Sequence, residues 1–245
     1  MKLKSTKDRI ARLIKRFYTD VSVEEVDGGQ FAVLLDNRAV KTPGKADLRL
    51  ETRGLADAVA DEWRAQGEKI DPDTMPLTQI ACTAIDRISE NRSEILGLIA
   101  KYAETDMVCY RANAPSDLVE MQTAHWQPLL DWIADDLGAP LVSTTEILPQ
   151  PQEIASLTKV SKVVQRFDDH ELSAVSVVTQ ASGSVVIALG LALGKIDGDQ
   201  AAIASQVDEI HQSKLWGLDH EAEVRLESLK TDILAAETYL SLHRA

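Results

Sequence analysis

Apolar and polar positions change their period once along this chain. Residues 17–51 alternate over short runs, as half-buried strands do. "DGG" at 27–29 separates "VSVEEV" from "FAVLLD". Glycine accepts the positive φ of a tight turn, so this spacing predicts a β-hairpin. "DNR" at 36–38 predicts a second turn into "AVKT", and "TPGK" at 42–45 a third, leading to the alternating "LRLE". Arg38 and Lys41 flank a tight turn, and a mainly structural role is expected of this segment, with the turn fixing strand register and Pro43 ending the strand. The N-terminal part therefore reads as a small, mostly antiparallel sheet.

From residue 55 the period becomes helical. Leu55, Ala56, Val59, Ala60 and Trp63 share one helical face, with Gly67 as the stop. "DPDTMP" at 71–76 breaks the chain and marks the expected domain boundary. The expectation is an α+β protein. A β-rich domain over 1–75 carries a basic arm and one helix, and a larger all-helical domain fills 76–245. Within the latter, Leu118, Met121, Trp126, Leu129, Ile133 and Leu137 form a stripe ending at Gly138. Residues 152–167 and 170–182 read as helices. Residues 183–194 are apolar all round and predict a buried helix, closely packed at Gly190 and Gly194. A last helix runs from Asp219 to Leu242, with Ala222, Leu226, Leu229, Ile233, Ala236 and Leu240 on one face.

Composition narrows the function classes. The 245 residues are 44% hydrophobic and 27% charged, which predicts a packed core. The net charge of −13 repels phosphate backbones, so nucleic-acid binding over the general surface is not expected. Residues 1–16 are the exception, with seven Lys or Arg against Asp8, or +6, leaving −19 on the rest. Such an arm is either a solvated basic segment or a contact for an acidic partner or membrane surface. Cys82 and Cys109 have no metal-type spacing and suggest a reducing compartment. The first 16 residues lack the apolar region of a signal peptide. The longest apolar run, Val185 to Leu193, falls far short of the roughly 20 residues that span a bilayer, so no membrane insertion is expected.

The chemical motifs mostly fail on spacing. "GLALGK" at 190–195 has glycines one residue too close for a phosphate loop, and Ile196 stands where Ser or Thr would hold magnesium. "ASGSV" at 181–185 lacks the second glycine of a nucleophile elbow. "HEAE" at 220–223 is not a zinc helix, because position 224 is Val rather than His. No metal and no cofactor is expected. "ETDMVCYR" at 104–111 offers acids, a thiol and a guanidinium. An enzyme built on Asp106, Cys109 and Glu221 is the alternative function, although nothing local lowers the pKa of Cys109. The plainer expectation pairs Arg111 with Asp106 or Glu104. A nucleic-acid adaptor using the basic arm is a second alternative.

"WGLDHEAEVR" at 216–225 concentrates Asp219, His220, Glu221 and Glu223 behind Trp216 and Gly217. Asp219 can cap a helix, and acids in a first turn complement the positive helix end by about 0.3–1 kcal/mol each. The same group can serve as a handle for another protein, and the residues alone leave both readings open.

Six stretches in series add a resemblance. They are "RFY" at 16–18, "LDNRAVKTPGK" at 35–45, "LADAVADEW" at 55–63, "MPLTQIACTAIDR" at 75–87, "ETDMVCYRA" at 104–112 and "WGLDHEAE" at 216–223. In this order they resemble the assembly chaperones that escort the alpha subunit of the F-type ATP synthase catalytic head, in mitochondria and some bacteria. The resemblance covers almost the whole chain. It implies a non-enzymatic, monomeric chaperone that binds free alpha subunit and keeps it from aggregating before it joins beta. It implies a small β-rich domain followed by a helical one, and a bacterial cytoplasmic location, the eukaryotic relatives working in the mitochondrial matrix. It also implies partner contacts at Glu221, Asp219, Trp216 and Glu223, with Glu221 projecting and Trp216 packed beneath the turn.

Overall fold

The computed structural model describes residues 13–146, 148–217 and 219–245, without the side chain of Trp216. The chain divides into two compact units. One runs through Arg87 and takes in Ser241–Ala245; the other is Ile88–Leu240. The α+β expectation holds: a small antiparallel sheet comes first and a larger helical region follows.

The first unit is built on strands β1 (Val21–Glu25), β2 (Phe31–Leu35), β3 (Arg38–Ala39) and β4 (Arg49–Leu50). β2 is central and pairs antiparallel with each of the others. The β1–β2 register sets Val21 opposite Leu35 and Glu25 opposite Phe31, so the turn falls at the predicted "DGG". The next turn uses Asp36 and Asn37 at φ of 47° and 63°. These are the two residue types with a side chain that visit the left-handed region most readily. The Asp36 carboxylate accepts hydrogen bonds from the amides of Asp20 (2.9 Å) and Thr19 (3.1 Å) and from the Thr19 hydroxyl (3.0 Å). The backbone bonds hold its pKa below the usual carboxylate value. Lys41 pairs with Asp47 across the ribbon. The backbone turn sets the register, while the Arg38 side chain is exposed, acts on Asp36 only through its charge and makes no hydrogen bond or ion pair among the described residues.

Helix α1 (Arg53–Arg64) lays Leu55, Ala56, Val59 and Ala60, all fully buried, against β1 and β2. Thr52 caps its start by accepting from the Leu55 amide at 3.2 Å. Beyond its far end, Arg16 donates to the Gln66 carbonyl (2.6 Å) and the Tyr18 hydroxyl to the Trp63 carbonyl (2.7 Å). "DPDTMP" forms a single 3-10 turn, Pro72–Thr74, that leads into helix α2 (Pro76–Thr83).

The second unit contains helices α3 (Ser89–Lys101), α4 (Ser116–Asp135), α5 (Ile154–Val164), α6 (Asp169–Ser182), α7 (Val185–Ala192), α8 (Gly198–Ser205), α9 (Val207–Trp216) and α10 (His220–His243), the last of these ending in the residues assigned to the first unit. All eight residues of α7 are buried, which is why that stretch has no polar face. Ser184 caps it by accepting from Ile187 (3.1 Å). A Cβ on Gly190 would sit 3.3 Å from both Leu129 and Ile196, so glycine lets α4 approach there. The loop-like "GLALGK" is the exit of this helix, with the Lys195 amide donating to the Gly190 carbonyl. On α4, Trp126, Leu129 and Ile133 of the predicted stripe are buried, whereas Leu118 and Met121 are half-buried and Leu137 lies beyond the helix, which ends at Asp135.

Helix α10 corrects the predicted stripe. Ile233, Ala236 and Leu240 are buried, but Ala222, Leu226 and Leu229 are only half-buried. No residue from His220 to Asp232 is buried. Among the described residues, no helix is long and apolar enough to cross a membrane.

Candidate functional site

Most of the polar residues in the six stretches are used internally. The Glu62 carboxylate accepts from the amides of Leu77 (2.7 Å) and Thr78 (2.8 Å) and from the Thr78 hydroxyl (2.7 Å), capping α2 from outside. Burial nevertheless pushes its pKa up. Asp86 accepts from the Thr42 hydroxyl (2.6 Å) and the Gly44 amide (2.7 Å), fastening the "TPGK" turn. Asp106 is wholly buried and accepts from the amides of Val108 (3.2 Å) and Val186 (3.1 Å) and from Ser184, joining the 107–109 turn to the start of α7. Arg111 pairs with neither Asp106 nor Glu104. It donates to the Gln122 carbonyl (2.9 Å) and lies over the Trp126 ring, 5.3 Å from its centroid.

The stretch at 216–223 is different. α9 ends at Trp216, and Gly217 leaves it at φ 76°. Leu218 and the Trp216 side chain lie outside the described residues, as does the expectation that Trp216 packs beneath the turn. Asp219 accepts from the Ala222 amide at 2.8 Å and so caps α10. Glu223 lies 3.9 Å from exposed His220, a contact between two solvated groups. Glu221 is exposed and makes no hydrogen bond or ion pair among the described residues. The cap thus falls on Asp219 and leaves the Glu221 carboxylate to solvent.

This end of α10 borders a groove of about 780 Å³, closed on one side by Ala181 of α6. Asp219 and Glu221 stand at one end and Asp232 further along. Ala222, Val224 and Leu229 supply apolar surface between them. Asp232, which the sequence did not single out, is half-buried and makes no hydrogen bond or ion pair among the described residues. Burial alone raises its pKa.

Residues 15–134 match the ATP12 chaperone protein family. The crystal structure of Atp12 from Paracoccus denitrificans is 39% identical, with a TM-score of 0.86 over 94% of this chain and 98% of that one. The chain belongs to the ATP12 chaperone family. A point mutant of the Paracoccus protein superposes equally well, at a TM-score of 0.85 and 38% identity over the same shares of the two chains. Protein Atu1473 of Agrobacterium tumefaciens is 34% identical, with a TM-score of 0.88 over 94% of this chain and 86% of that one.

The ATP12 segment holds five of the six stretches, those whose polar residues largely fasten the fold; "WGLDHEAE" lies beyond it. Of the alternative catalytic set, Asp106 and Cys109 lie within electrostatic reach of each other, and Glu221 borders the groove. Asp106 and Cys109 are interior groups, and neither lines the groove that Glu221 borders. Burial pushes the Cys109 thiol up to about 12, the opposite of what a thiolate nucleophile needs. Among the described residues, no group of three or more His, Cys, Asp or Glu is placed to hold a metal ion.

Proposed function

We propose that this protein is a non-enzymatic ATP synthase assembly chaperone. It holds free alpha subunit of the F-type catalytic head, without a cofactor, until beta replaces it. Membership of the ATP12 chaperone family supports the chaperone role. The observation that carries the contact site is Glu221: it is exposed at the start of α10 with no partner among the described residues, while Asp219 makes the cap. A solvated carboxylate in that position serves a basic or hydrogen-bond-donating group on the alpha subunit. On the same reading Trp216, Asp219 and Glu223 belong to the contact. On this reading the protein acts as a monomer in the bacterial cytoplasm.

The test is light scattering from isolated alpha subunit during refolding, with and without a modest excess of this protein and without ATP. Suppressed aggregation is expected. Equal scattering in both samples rejects the reading.

A further inference from the structure

Helix α10 has a half-finished apolar face. Its C-terminal half buries Ile233, Ala236 and Leu240, whereas from His220 to Asp232 nothing is buried and the stripe residues Ala222, Leu226 and Leu229 are only half-covered. A helix whose apolar stripe continues past its own packing presents that stripe to something else. The groove beside Ala181 is where the stripe emerges.

Its polar groups carry a pattern. Glu221 and Asp232 both line the groove, and their separation is close to three full turns at 3.6 residues per turn. They therefore lie on one face, about 16 Å apart along the axis at 1.5 Å per residue. Ala222, Val224, Ser228 and Leu229 fall between them. The single cation of the lining, Arg225, is drawn towards Glu209 at 3.7 Å. Asp232 has no counter-ion among the described residues although it is half-buried. A carboxylate partly removed from water without a partner is costly, and a cation brought to it recovers that cost.

We infer that this groove receives a basic amphipathic helix of the client protein, its cations meeting Glu221 and Asp232 and its aliphatic side chains covering Val224 and Leu229. A helix laid alongside α10 repeats the three-turn spacing of the two acids, which an extended strand does not. The small side chains of Ala181, Ala222 and Ser228 let a second helix come near. A second copy of this chain is disfavoured by its net charge of −13. The inference rests on the reading of the protein as an alpha-subunit chaperone, and it adds a second anchoring acid and the chemistry of the bound segment.

The test uses the full chain and two probes. One is isolated alpha subunit. The other is a fluorescent leucine–lysine helical peptide with lysines about three turns apart, compared with the same peptide carrying glutamates. The variants are Asp232→Asn, which removes the charge and keeps the shape, and Val224→Lys, which sets a like charge against the incoming cations. Glu94→Gln, an exposed change elsewhere in the second unit, is the control. Both groove variants should keep the melting temperature of the parent and bind both probes roughly tenfold more weakly, as loss of a desolvated charge pair predicts. The control should bind like the parent, and the glutamate peptide should not bind. If Asp232→Asn binds both probes normally while Glu221→Lys loses alpha subunit, the groove is wrong and the function proposed above stands. If the lysine peptide binds through Asp232 but the parent protein ignores alpha subunit, the groove stands and the alpha-subunit reading falls. Tighter peptide binding on deleting residues 1–12 would make the chain's own arm the occupant and overturn the inference.

Discussion

The Gly44 amide donates to the Asp86 carboxylate at 2.7 Å, and a Cβ on Gly44 would fall 2.6 Å from the other oxygen of that carboxylate. Lys45 follows at φ 72°, so this one acid holds a turn that is already conformationally demanding. Asp86→Ala should lower stability by about 1–3 kcal/mol, because the Gly44 amide and Thr42 hydroxyl lose their acceptor. Gly44→Ala should cost a similar amount by displacing the acid. The double variant should cost clearly less than the sum, since both changes break one contact. Denaturant melts of the three proteins check this; additive losses would show that the contact is unimportant.

Glu62 makes the corresponding link to α2. Glu62→Ala should destabilise by about 1–2 kcal/mol, the scale of a lost helix cap. Arg38→Ala, by contrast, should leave stability within about 0.5 kcal/mol of the parent, because the side chain is exposed and meets Asp36 only as a solvated charge. Thermal melts of the two variants side by side distinguish a structural acid from a solvated cation.

At the start of α10 the proposed contact can be tested apart from the fold. Glu221→Lys should abolish protection of alpha subunit and change stability by no more than about 0.5 kcal/mol, as an exposed site without partners allows. Asp219→Ala should cost about 1 kcal/mol through the lost cap. Binding and melting measured on both variants decide the matter. Normal binding by Glu221→Lys, or its unfolding, would reduce this stretch to an ordinary helix start.

Asp106 should leave a signature in the pH dependence of stability. Burial pushes its carboxyl up to about 6, against an unfolded value near 3.9. A folded pKa above the unfolded one favours the protonated acid. Its stabilisation is full below about 4 and is lost as the pH rises through about 6. Between pH 7 and pH 5 the parent should gain roughly 1 kcal/mol more than Asp106→Ala, a variant that is weaker at both pH values because the Val186 and Val108 amides lose their acceptor. Urea melts at the two pH values measure the difference, and identical slopes would mean that Asp106 titrates normally.

Local physics was readable from the sequence. The "DGG" and "DNR" turns, the buried face of α1 and the all-apolar α7 follow from backbone preferences and hydrophobic period, which act over a few residues. The order of the six stretches was enough to suggest the family. Their internal use was not readable. Asp86 reaches Gly44, and Asp106 reaches Val186, only after packing has brought distant segments together, and no local signal marks which acid will meet which amide. The same limit hid the groove. Period identified Ala222, Leu226 and Leu229 as an apolar stripe, and a stripe is normally core. Period says which face of a helix is apolar, but whether another element covers that face is decided by the packing of the whole unit, and along the first three turns of α10 nothing buries it.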